Sequence, residues 1–395
     1  MRDLQNRKIL LGVTGSIAAY KSVDLARKLV EEKASVHVIM TNAARYFITP
    51  LTFEVVSQNK VHFNLFDDPI SHITLTADAD LMVIAPITAN MISKFAQGIG
   101  DDLLSTCILS FRGKVIIAPA MNWRMYENGM VQDNLRRLLA HGIVKVGPER
   151  GSLACGEEGI GRMADIQRIL ETVKAVISSK DLLKRRILVT AGPTREYLDP
   201  VRFISNRSSG KMGFAIARAA LRRGAEVVLM SGPSSLELPY EVEYIPVDTA
   251  SEMREALLRN MSGCNALIMA AAVADFMPLM KEDRKIEKSD RMMLEFVKTP
   301  DILSEVGSME KRPLLIGFAA ETGHDLSSAK RKLLEKGIDM IVFNNLSSKG
   351  SGFDVDTNEI TLIDRETVSP FPLMTKDEAA DVILDRVVQL LLDIS

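Results

Sequence analysis

Two segments of the chain combine a buried strand, a turn of small residues and the start of an apolar helix. The first, ILLGVTGSIAAYK, spans 9–21, and the second, ILVTAGPTREYLDPVRFISNRSSGKMGFAIARAA, spans 187–220. A helix that begins directly after a strand and a glycine-containing turn presents backbone N–H groups that can bind a phosphate. Either segment alone is weak evidence, because most doubly wound domains have such a turn. Two of them in one chain predict two nucleotide-handling domains.

Three further side chains of the first half could move protons or orient a carboxylate. His72 lies in a Ser-His-Ile triplet, Asn122 lies within PAMNWRM (119–125), and Cys155 lies in a loop rich in Gly and Glu. Imidazole exchanges protons near neutral pH, a thiol with a pKa of about 8.5 can act as an acid, and an amide N–H can donate to a carboxylate. Considered singly, they are ordinarily a satisfied histidine, a helix cap and a small hydrophobe. The polar surroundings of Cys155 favour a chemical role for its thiol.

The second half contains groups suited to a nucleotide. The polar loop SNRSSGKMG (205–213) holds Asn206 and many hydrogen-bond donors, but it lacks the spacing of a P-loop. The segment AAAVAD (270–275) ends a strand with small residues and an acid, so a nucleotide could approach the backbone there. Lys285 and Lys288 lie in a short charged run, which is usually a solvated face.

The elements that must position these residues alternate between strand-like and helix-like runs. The strands are near-continuous apolar runs, which is typical of parallel sheets covered on both faces. The pattern predicts an α/β fold with two doubly wound, mainly parallel-sheet (Rossmann-like) domains. Strands are predicted at Ile9–Val13, Ser35–Met40, Leu81–Ala85, Val115–Ala118, Ile143–Val146, Ile187–Thr190, Glu226–Met230, Ala266–Ala270, Leu314–Phe318 and Met340–Asn344, and helices include Ala18–Glu32, Ser105–Ser110, Ser251–Arg259 and Ser327–Glu335.

Length and composition agree with two ordinary globular domains. At 395 residues the chain exceeds the usual size of a single core, about 250–300 residues, and we expect domains at 1–180 and 187–395 with a linker at 181–186. A net charge of −2 argues against a nucleic acid or an anionic membrane as partner, and no apolar stretch is long enough to span a bilayer. The three cysteines lack zinc-ligand spacing and favour a reducing, cytoplasmic location.

Taken together, the residues of the first half resemble the flavin-containing cysteine decarboxylases, in particular the phosphopantothenoylcysteine decarboxylase family. His72, the segment Pro119–Met125 and the loop Ala154–Gly156 supply that family's signature in order. The resemblance implies a flavodoxin-like domain with FMN as cofactor. The implied flavin contacts are Thr14, Gly15, Ser16, Thr41, Thr88, Ala89, Asn90 and Met121.

The resemblance also implies the roles of the reactive residues. Oxidation of the substrate thiol to a thioaldehyde provides an electron sink, so the carboxylate can leave and an enethiolate forms; the cofactor supplies this chemistry. His72 would manage protons during the oxidation, and Asn122 would donate its amide N–H to the carboxylate. Cys155 would then protonate the enethiolate while the reduced cofactor returns its electrons, and the product would be 4'-phosphopantetheine.

The second half resembles bacterial phosphopantothenate–cysteine ligase, which bacteria commonly carry fused behind the decarboxylase. The motifs appear in order as TAGPT, SNRSSGKMG, AAVAD, a lysine loop, KTPDIL and GFAAET. The resemblance implies CTP and Mg²⁺, an acyl-cytidylate intermediate held by Asn206, and Lys285 on the triphosphate. The implied CTP contacts are Ala270, Ala271, Asp275, Lys285, Lys288, Pro300, Asp301, Ile302, Leu303, Phe318, Lys332 and Lys336. The lysine loop departs from the family's K-x-K-K at Glu287.

The leading hypothesis is therefore a bifunctional enzyme of coenzyme A biosynthesis, acting on 4'-phosphopantothenate, cysteine and CTP. Mg²⁺ is expected mainly through the nucleotide phosphates. The resemblance also implies a homo-oligomer, a dodecamer with FMN at subunit interfaces. A dinucleotide-dependent oxidoreductase is a second hypothesis, although neither half has G-x-G-x-x-G after its first strand. A regulatory flavin-binding protein without turnover is a third.

Overall fold

The chain folds into two compact units, one of residues up to 178 and one from residue 179 onward. The computed structural model describes residues 4–68, 70–152, 154, 156–287, 290–321, 323, 325–345, 347 and 350–394. Among these residues, no helix combines the length and the apolar character that a bilayer span requires.

The first unit is built around one five-stranded sheet. Its strands are β1 (Lys8–Val13), β2 (Ser35–Met40), β3 (Leu81–Ile87), β4 (Lys114–Pro119) and β5 (Val144–Lys145), followed by the hairpin of β6 (Glu149–Ser152) and β7 (Glu158–Arg162). Its helices are α1 (Ala19–Glu31), α2 (Pro50–Ser57), α3 (Ser71–Ala77), α4 (Ala89–Gln97), α5 (Leu103–Ser110), α6 (Trp123–Tyr126), α7 (Gly129–Ala140) and α8 (Ile166–Ile177).

The sheet of the first unit has the order β2-β1-β3-β4-β5, and all neighbours are parallel. A separate apolar cluster covers each of its two faces. Successive side chains of β1 point to opposite faces, so Ile9 and Leu11 belong to one cluster and Leu10 belongs to the other. This order is the flavodoxin-like one, so that prediction is confirmed. In such sheets the ligand binds where the strand order reverses, here between β1 and β3.

The second unit contains a larger, mixed sheet. Its strands are β8 (Arg186–Ala191), β9 (Arg195–Tyr197), β10 (Phe203–Ser205), β11 (Glu226–Ser231), β12 (Glu243–Pro246), β13 (Ala266–Met269), β14 (Phe276–Pro278), β15 (Phe296–Lys298), β16 (Leu314–Glu321), β17 (Met340–Asn345), β18 (Thr357–Asp364) and β19 (Val368–Thr375). Its helices are α9 (Lys211–Arg222), α10 (Ala250–Asn260), α11 (Ile302–Gly307), α12 (Ser327–Glu335) and α13 (Lys376–Ile394).

The large sheet has the order β12-β11-β8-β13-β16-β17-β18-β19. Its first six strands are parallel and follow the Rossmann order, with the reversal between β8 and β13. The antiparallel pair β18 and β19 extends one edge. Helix α9 lies very close to β8, because a Cβ on Gly213 would meet the Ala191 Cβ at 2.5 Å.

The segment 181–186 packs within the second unit. Leu182 is fully buried in that unit's core, and the carboxylate of Asp181 pairs with Arg223 at 2.7 Å. Opposing effects act on the pKa of Asp181: burial tends to raise it, but the hydrogen bonds and charge of Arg223 outweigh burial and lower it.

Candidate active sites

A cavity of about 670 Å³ lies at the carboxyl ends of β1, β2, β3 and β4. It therefore occupies the point where the strand order of the first unit reverses. All of the flavin contacts predicted from the sequence line it: Thr14, Gly15, Ser16, Thr41, Thr88, Ala89, Asn90 and Met121. They converge because parallel strands end at the same edge of a sheet.

The buried Thr14 side chain joins two loops of this cavity. Its hydroxyl donates to the carbonyl oxygen of Pro86 at 2.9 Å and accepts from the backbone N–H of Thr88 at 3.0 Å. The loops after β1 and β2 also approach closely, since a Cβ on Gly15 would meet the Ala43 Cβ at 2.5 Å. Thr14 thus shapes the cavity with a hydroxyl that is already engaged.

Helix α4 begins at the cavity wall. The Thr88 side chain caps it by accepting from the N–H of Met91 at 3.4 Å. The first turn of a helix leaves N–H groups without intrahelical partners, and here Ala89 and Asn90 carry them into the cavity lining. Such groups suit an anion, such as the phosphate of a flavin nucleotide.

The rest of the cavity wall is mostly apolar and suits a flat ring. Ile17, Phe47 and Met125 line it and are each about half exposed at its mouth. The cation in the wall, Lys94, pairs with Asp101 at 2.6 Å and with Asp102 at 2.9 Å. Burial tends to lower the pKa of Lys94, but these two carboxylates outweigh burial and raise it, so the ammonium remains charged.

Two residues that were predicted to act on the substrate do not line this cavity. Neither His72 nor Asn122, both within the described residues, lines it. The Nδ1 atom of His72 is buried without a hydrogen-bond partner among the described residues, and Ile73 beside it is exposed. Asn122 caps α6, accepting from the N–H of Arg124 at 2.9 Å. Cys155 lies outside the described residues.

The hairpin of β6 and β7 packs against the segment that carries Met121 and Asn122. Glu157 accepts hydrogen bonds from the Trp123 indole at 2.8 Å and from Arg124 at 2.7 Å, and it lies 3.5 Å from the Asn122 amide nitrogen. The sequence analysis did not single out Glu157, although it stands two positions after Cys155. Its carboxylate connects the loop between β6 and β7 to Asn122, the residue that is predicted to bind the substrate carboxylate.

A second cavity, of about 760 Å³, lies in the second unit at the carboxyl ends of β13, β16 and β17. It adjoins the reversal between β8 and β13. Most of the predicted nucleotide contacts line it: Asn206, Ala270, Ala271, Asp275, Pro300, Asp301, Ile302, Leu303, Phe318, Lys332 and Lys336.

Hydrogen bonds from neighbouring segments hold the backbone that follows β13 along this cavity. Thr190 accepts from the N–H of Ala271 at 3.3 Å, and Thr194 accepts from the N–H of Ala274 at 2.9 Å. The Asn206 amide donates to the carbonyl oxygen of Val273 at 2.8 Å. Asn206 is therefore fixed beside small residues that leave room for a nucleotide.

Two of the predicted lysines are among the cationic side chains that line this cavity. Lys332 lies on α12, and Lys336, which directly follows that helix, pairs with Asp301 at 2.7 Å; both lysines line the cavity. Burial tends to raise the pKa of Asp301, but the Lys336 hydrogen bond, with those from Ser304, outweighs it and lowers the pKa. Within the described chain, no cluster of three or more His, Cys, Asp or Glu side chains suits a metal ion.

Of the two lysines predicted from the charged run, one is described and does not line this cavity. Lys285 is exposed on the loop between β14 and β15, and it is absent from the lining. Lys288 lies outside the described residues. In contrast, the buried Lys376 lines the cavity and was not predicted. Its position as the first residue of the amphipathic helix α13, directly after a strand, was the available signal.

Comparison with known proteins identifies the family. The Flavoprotein family matches residues 1–178, and the DNA/pantothenate metabolism flavoprotein C-terminal domain matches residues 182–391. The coenzyme A biosynthesis bifunctional protein CoaBC of Vibrio cholerae is 44% identical over 392 residues, which cover 97% of this chain and 98% of that protein. The protein of the same name from Bacillus subtilis is 43% identical over 397 residues, with 98% of each covered.

The chain belongs to the family of bifunctional coenzyme A biosynthesis proteins. As predicted, it is an enzyme that unites a decarboxylase and a ligase of this pathway. A solved C-terminal domain of a CoaBC protein is 41% identical and covers 54% of this chain and 100% of its own, with a TM-score of 0.48. In this CoaBC family member, each unit has its own cavity at the carboxyl ends of its parallel strands.

Proposed function

We propose that the decarboxylase occupies residues 1–180 and acts on phosphopantothenoylcysteine with FMN, and that the ligase occupies residues 187–395 and joins cysteine to 4'-phosphopantothenate with CTP. The observation that carries this proposal is the pair of cavities. The first lies where the strand order of its unit reverses, the second adjoins the reversal in its unit, and each is lined by residues of the motifs that the sequence predicts for it.

The first cavity fits a flavin mononucleotide. Its N–H groups at the start of α4 suit a phosphate, and its wall of methionine side chains with Phe47 suits a flat ring. At Gly15 the neighbouring loop leaves no room for a larger residue. A bound FMN would supply the oxidation that makes the substrate carboxylate a leaving group. The protein's part is to bind, to orient and to move protons, with Asn122 directed at the carboxylate.

We propose further that the flavin site is completed by a second subunit. Ile17, Phe47 and Met125 expose apolar surface at the mouth of the cavity, and His72 lies outside it with a buried, unpartnered Nδ1 among the described residues. Exposed apolar surface around a ligand cavity is typical of an interface. An oligomer, which we take to be a dodecamer, would bring His72 and Cys155 of neighbouring subunits to the flavin.

In the ligase cavity, the substrate carboxylate attacks the α-phosphorus of CTP, and pyrophosphate leaves with the electron pair of the broken P–O bond. The cysteine amine then attacks the acyl-cytidylate carbonyl and displaces CMP. Lys332 and Lys336 line the cavity where they can neutralise the triphosphate together with Mg²⁺, and Lys285 would reach in from its loop. Asn206 can stabilise the carbonyl oxygen as charge develops on it.

The proposal includes small molecules as the substrates and the cytoplasm as the location of the protein. The formal charge of −2 provides no field for nucleic acid or for an anionic membrane. Three cysteines without a zinc spacing agree with a reducing compartment.

A coupled assay on the purified chain tests both halves. The chain receives 4'-phosphopantothenate, cysteine and Mg²⁺ with either CTP or ATP, and pyrophosphate and CO₂ are followed together. We expect both products with CTP, and a visible flavin spectrum from the protein. Release of pyrophosphate without CO₂ would contradict the decarboxylase assignment. If the chain released neither pyrophosphate nor CO₂, the proposal would be overturned in favour of a binding protein.

A further inference from the structure

The carboxylate of Asp199 is fully buried at the turn between β9 and β10. Its Oδ1 atom accepts from the backbone N–H groups of Val201 and Arg202, each at 2.8 Å. Its Oδ2 atom accepts from the backbone N–H of Ile286 at 3.1 Å, 87 positions further along the chain. Nothing in the ligase chemistry described above uses this carboxylate.

Ile286 belongs to the loop that carries Lys285. This loop joins β14 to β15, and the ends of those two strands adjoin Asp275 and Thr299 in the ligase cavity. A second bond attaches the same loop to the same turn, because the N–H of Glu282 donates to the carbonyl oxygen of Leu198 at 2.9 Å. The loop is therefore held on both sides of Lys285.

Arg202 reinforces the attachment. Its Nε lies 3.0 Å from Asp199 Oδ2, and its guanidinium donates to the carbonyl oxygen of Ile286. Lys285 itself is exposed and makes no hydrogen bond within the part of the chain that the structure describes. The anchor thus restrains the backbone of the loop and leaves the lysine side chain free to meet a ligand.

The same turn is continuous with the other proposed catalytic residue. Strand β10 ends at Ser205, whose hydroxyl donates to the carbonyl oxygen of Thr194 at 2.8 Å, and Asn206 follows directly with its amide on Val273. One short hairpin therefore carries Asn206 at one end and holds the Lys285 loop at its turn.

We propose that Asp199 is a positioning residue of the ligase, which fixes the Lys285 loop to the β9–β10 hairpin and thereby sets Lys285 relative to Asn206. This inference rests on the proposed ligase function. An asparagine at this position has one acceptor oxygen, and its NH₂ group must face an N–H donor. Asp199→Asn therefore releases the loop while it keeps the shape of the side chain.

Asp364 provides a matched control in the same unit. It is also a buried carboxylate at a turn: it accepts from the N–H groups of Glu366 at 2.9 Å and Thr367 at 2.8 Å, and it pairs with Arg386 at 2.8 Å. It does not touch the Lys285 loop. Asp364→Asn should therefore lower stability as Asp199→Asn does, without changing the loop.

Limited trypsin digestion of the full-length chain measures the loop directly. Cleavage after Lys281, Arg284 and Lys285 should be about tenfold faster in Asp199→Asn than in wild type, as expected from the loss of one hydrogen bond to a charged group. Asp364→Asn should cleave there at the wild-type rate. Equal rates in all three proteins would overturn the proposal.

Kinetics then separates positioning from a general structural role. Pyrophosphate release with CTP, Mg²⁺, 4'-phosphopantothenate and cysteine should show a kcat about tenfold lower in Asp199→Asn, again from one charged hydrogen bond, with wild-type kcat in Asp364→Asn. If Asp199 acts through Lys285, Asp199→Asn should have little further effect on a Lys285→Ala background. Fully additive losses would overturn the proposal.

A milder pair guards against variants that fail to fold. Arg202→Lys keeps the charge but loses the planar fork that reaches Ile286, and Arg386→Lys is its counterpart at Asp364. Only Arg202→Lys should speed cleavage of the loop and lower kcat. If the wild-type chain releases no pyrophosphate, only the ligase assignment is overturned. The digestion still measures the attachment of the Lys285 loop to the β9–β10 hairpin, because it requires no turnover.

Discussion

At the first residue of α13, the Lys376 side chain lies buried beside the ligase cavity. Its ammonium donates to the carbonyl oxygens of Gly352 and Phe353, each at 3.0 Å. Burial, with the nearby charge of Lys211, lowers the pKa of Lys376 to about 8, although Asp356 and Asp354 act in the opposite direction. Protonated Lys376 is therefore costly in the folded chain.

This lowered pKa predicts how stability depends on pH. Between the folded value of about 8 and the ordinary value of 10.5, the unfolded chain binds more protons at this residue than the folded chain does. The contribution of Lys376 to stability therefore rises with pH across that window, by at most about 1.4 kcal/mol per pH unit. In thermal unfolding, the Tm of wild type relative to Lys376→Met should rise between pH 8 and 9.5. A constant or falling difference would contradict the prediction.

At the scale of elements, the sequence predicted the strands and helices with strong apolar patterns. The bounds of β2 and α12 agree with the prediction, and the ends of the other predicted sheet strands differ from it by three residues or fewer. β18 and β19 were not assigned, because β19 is an exposed edge strand that contains two prolines, which ordinarily argue against a strand. α13 was also missed, although its buried residues Ala379, Ala380, Ile383, Leu384 and Val387 follow a helical period.

The residues of the candidate sites could be predicted wherever they follow parallel strands, because the carboxyl ends of parallel strands converge at one edge of the sheet. Contacts between short elements that are distant in the sequence could not be predicted. The hairpins β9–β10 and β14–β15 have strands of three residues each, too short for a periodic signal, and only the folded chain joins Asp199 to Ile286. The resemblance gave His72 a proton-managing role in the flavin reaction, but within one chain His72 does not line the cavity of the predicted flavin contacts.

The hairpin of β6 and β7 offers a prediction at this scale. A Cβ on Gly161 would lie 2.1 Å from the carbonyl oxygen of Met121, and Met121 donates its N–H to the carbonyl oxygen of Gly161 at 3.0 Å. Gly161→Ala must therefore displace Met121 from the flavin cavity. We expect a loss of about 1–3 kcal/mol in stability and reduced flavin content, read from the visible absorbance of the purified protein.

Gly129→Ala is the control for that experiment. Gly129 begins α7, and a Cβ there meets nothing within 4 Å. Alanine is the better helix former, so this variant should retain flavin and equal or exceed wild type in stability. If Gly161→Ala retained as much flavin as Gly129→Ala, the hairpin would not shape the flavin cavity.

At the scale of the whole molecule, the two units have separate sheets, separate cores and separate cavities. Neither sheet shares a strand with the other, so each cavity is shaped by residues of its own unit. A substitution in one cavity should therefore leave the chemistry of the other intact, even though both lie on one polypeptide.

Single substitutions in the full chain should separate the two reactions. Asn206→Ala removes the amide that is proposed to stabilise the acyl-cytidylate, and the loss of one such donor lowers kcat by about 10²–10³. Pyrophosphate release should fall by that factor, while CO₂ release from supplied phosphopantothenoylcysteine continues at the wild-type rate. His72→Asn should do the reverse, because its imidazole is proposed to act only in the flavin reaction. Loss of both products in either variant would show that the two units depend on each other for activity, and the assignment of one reaction to each cavity would then fail.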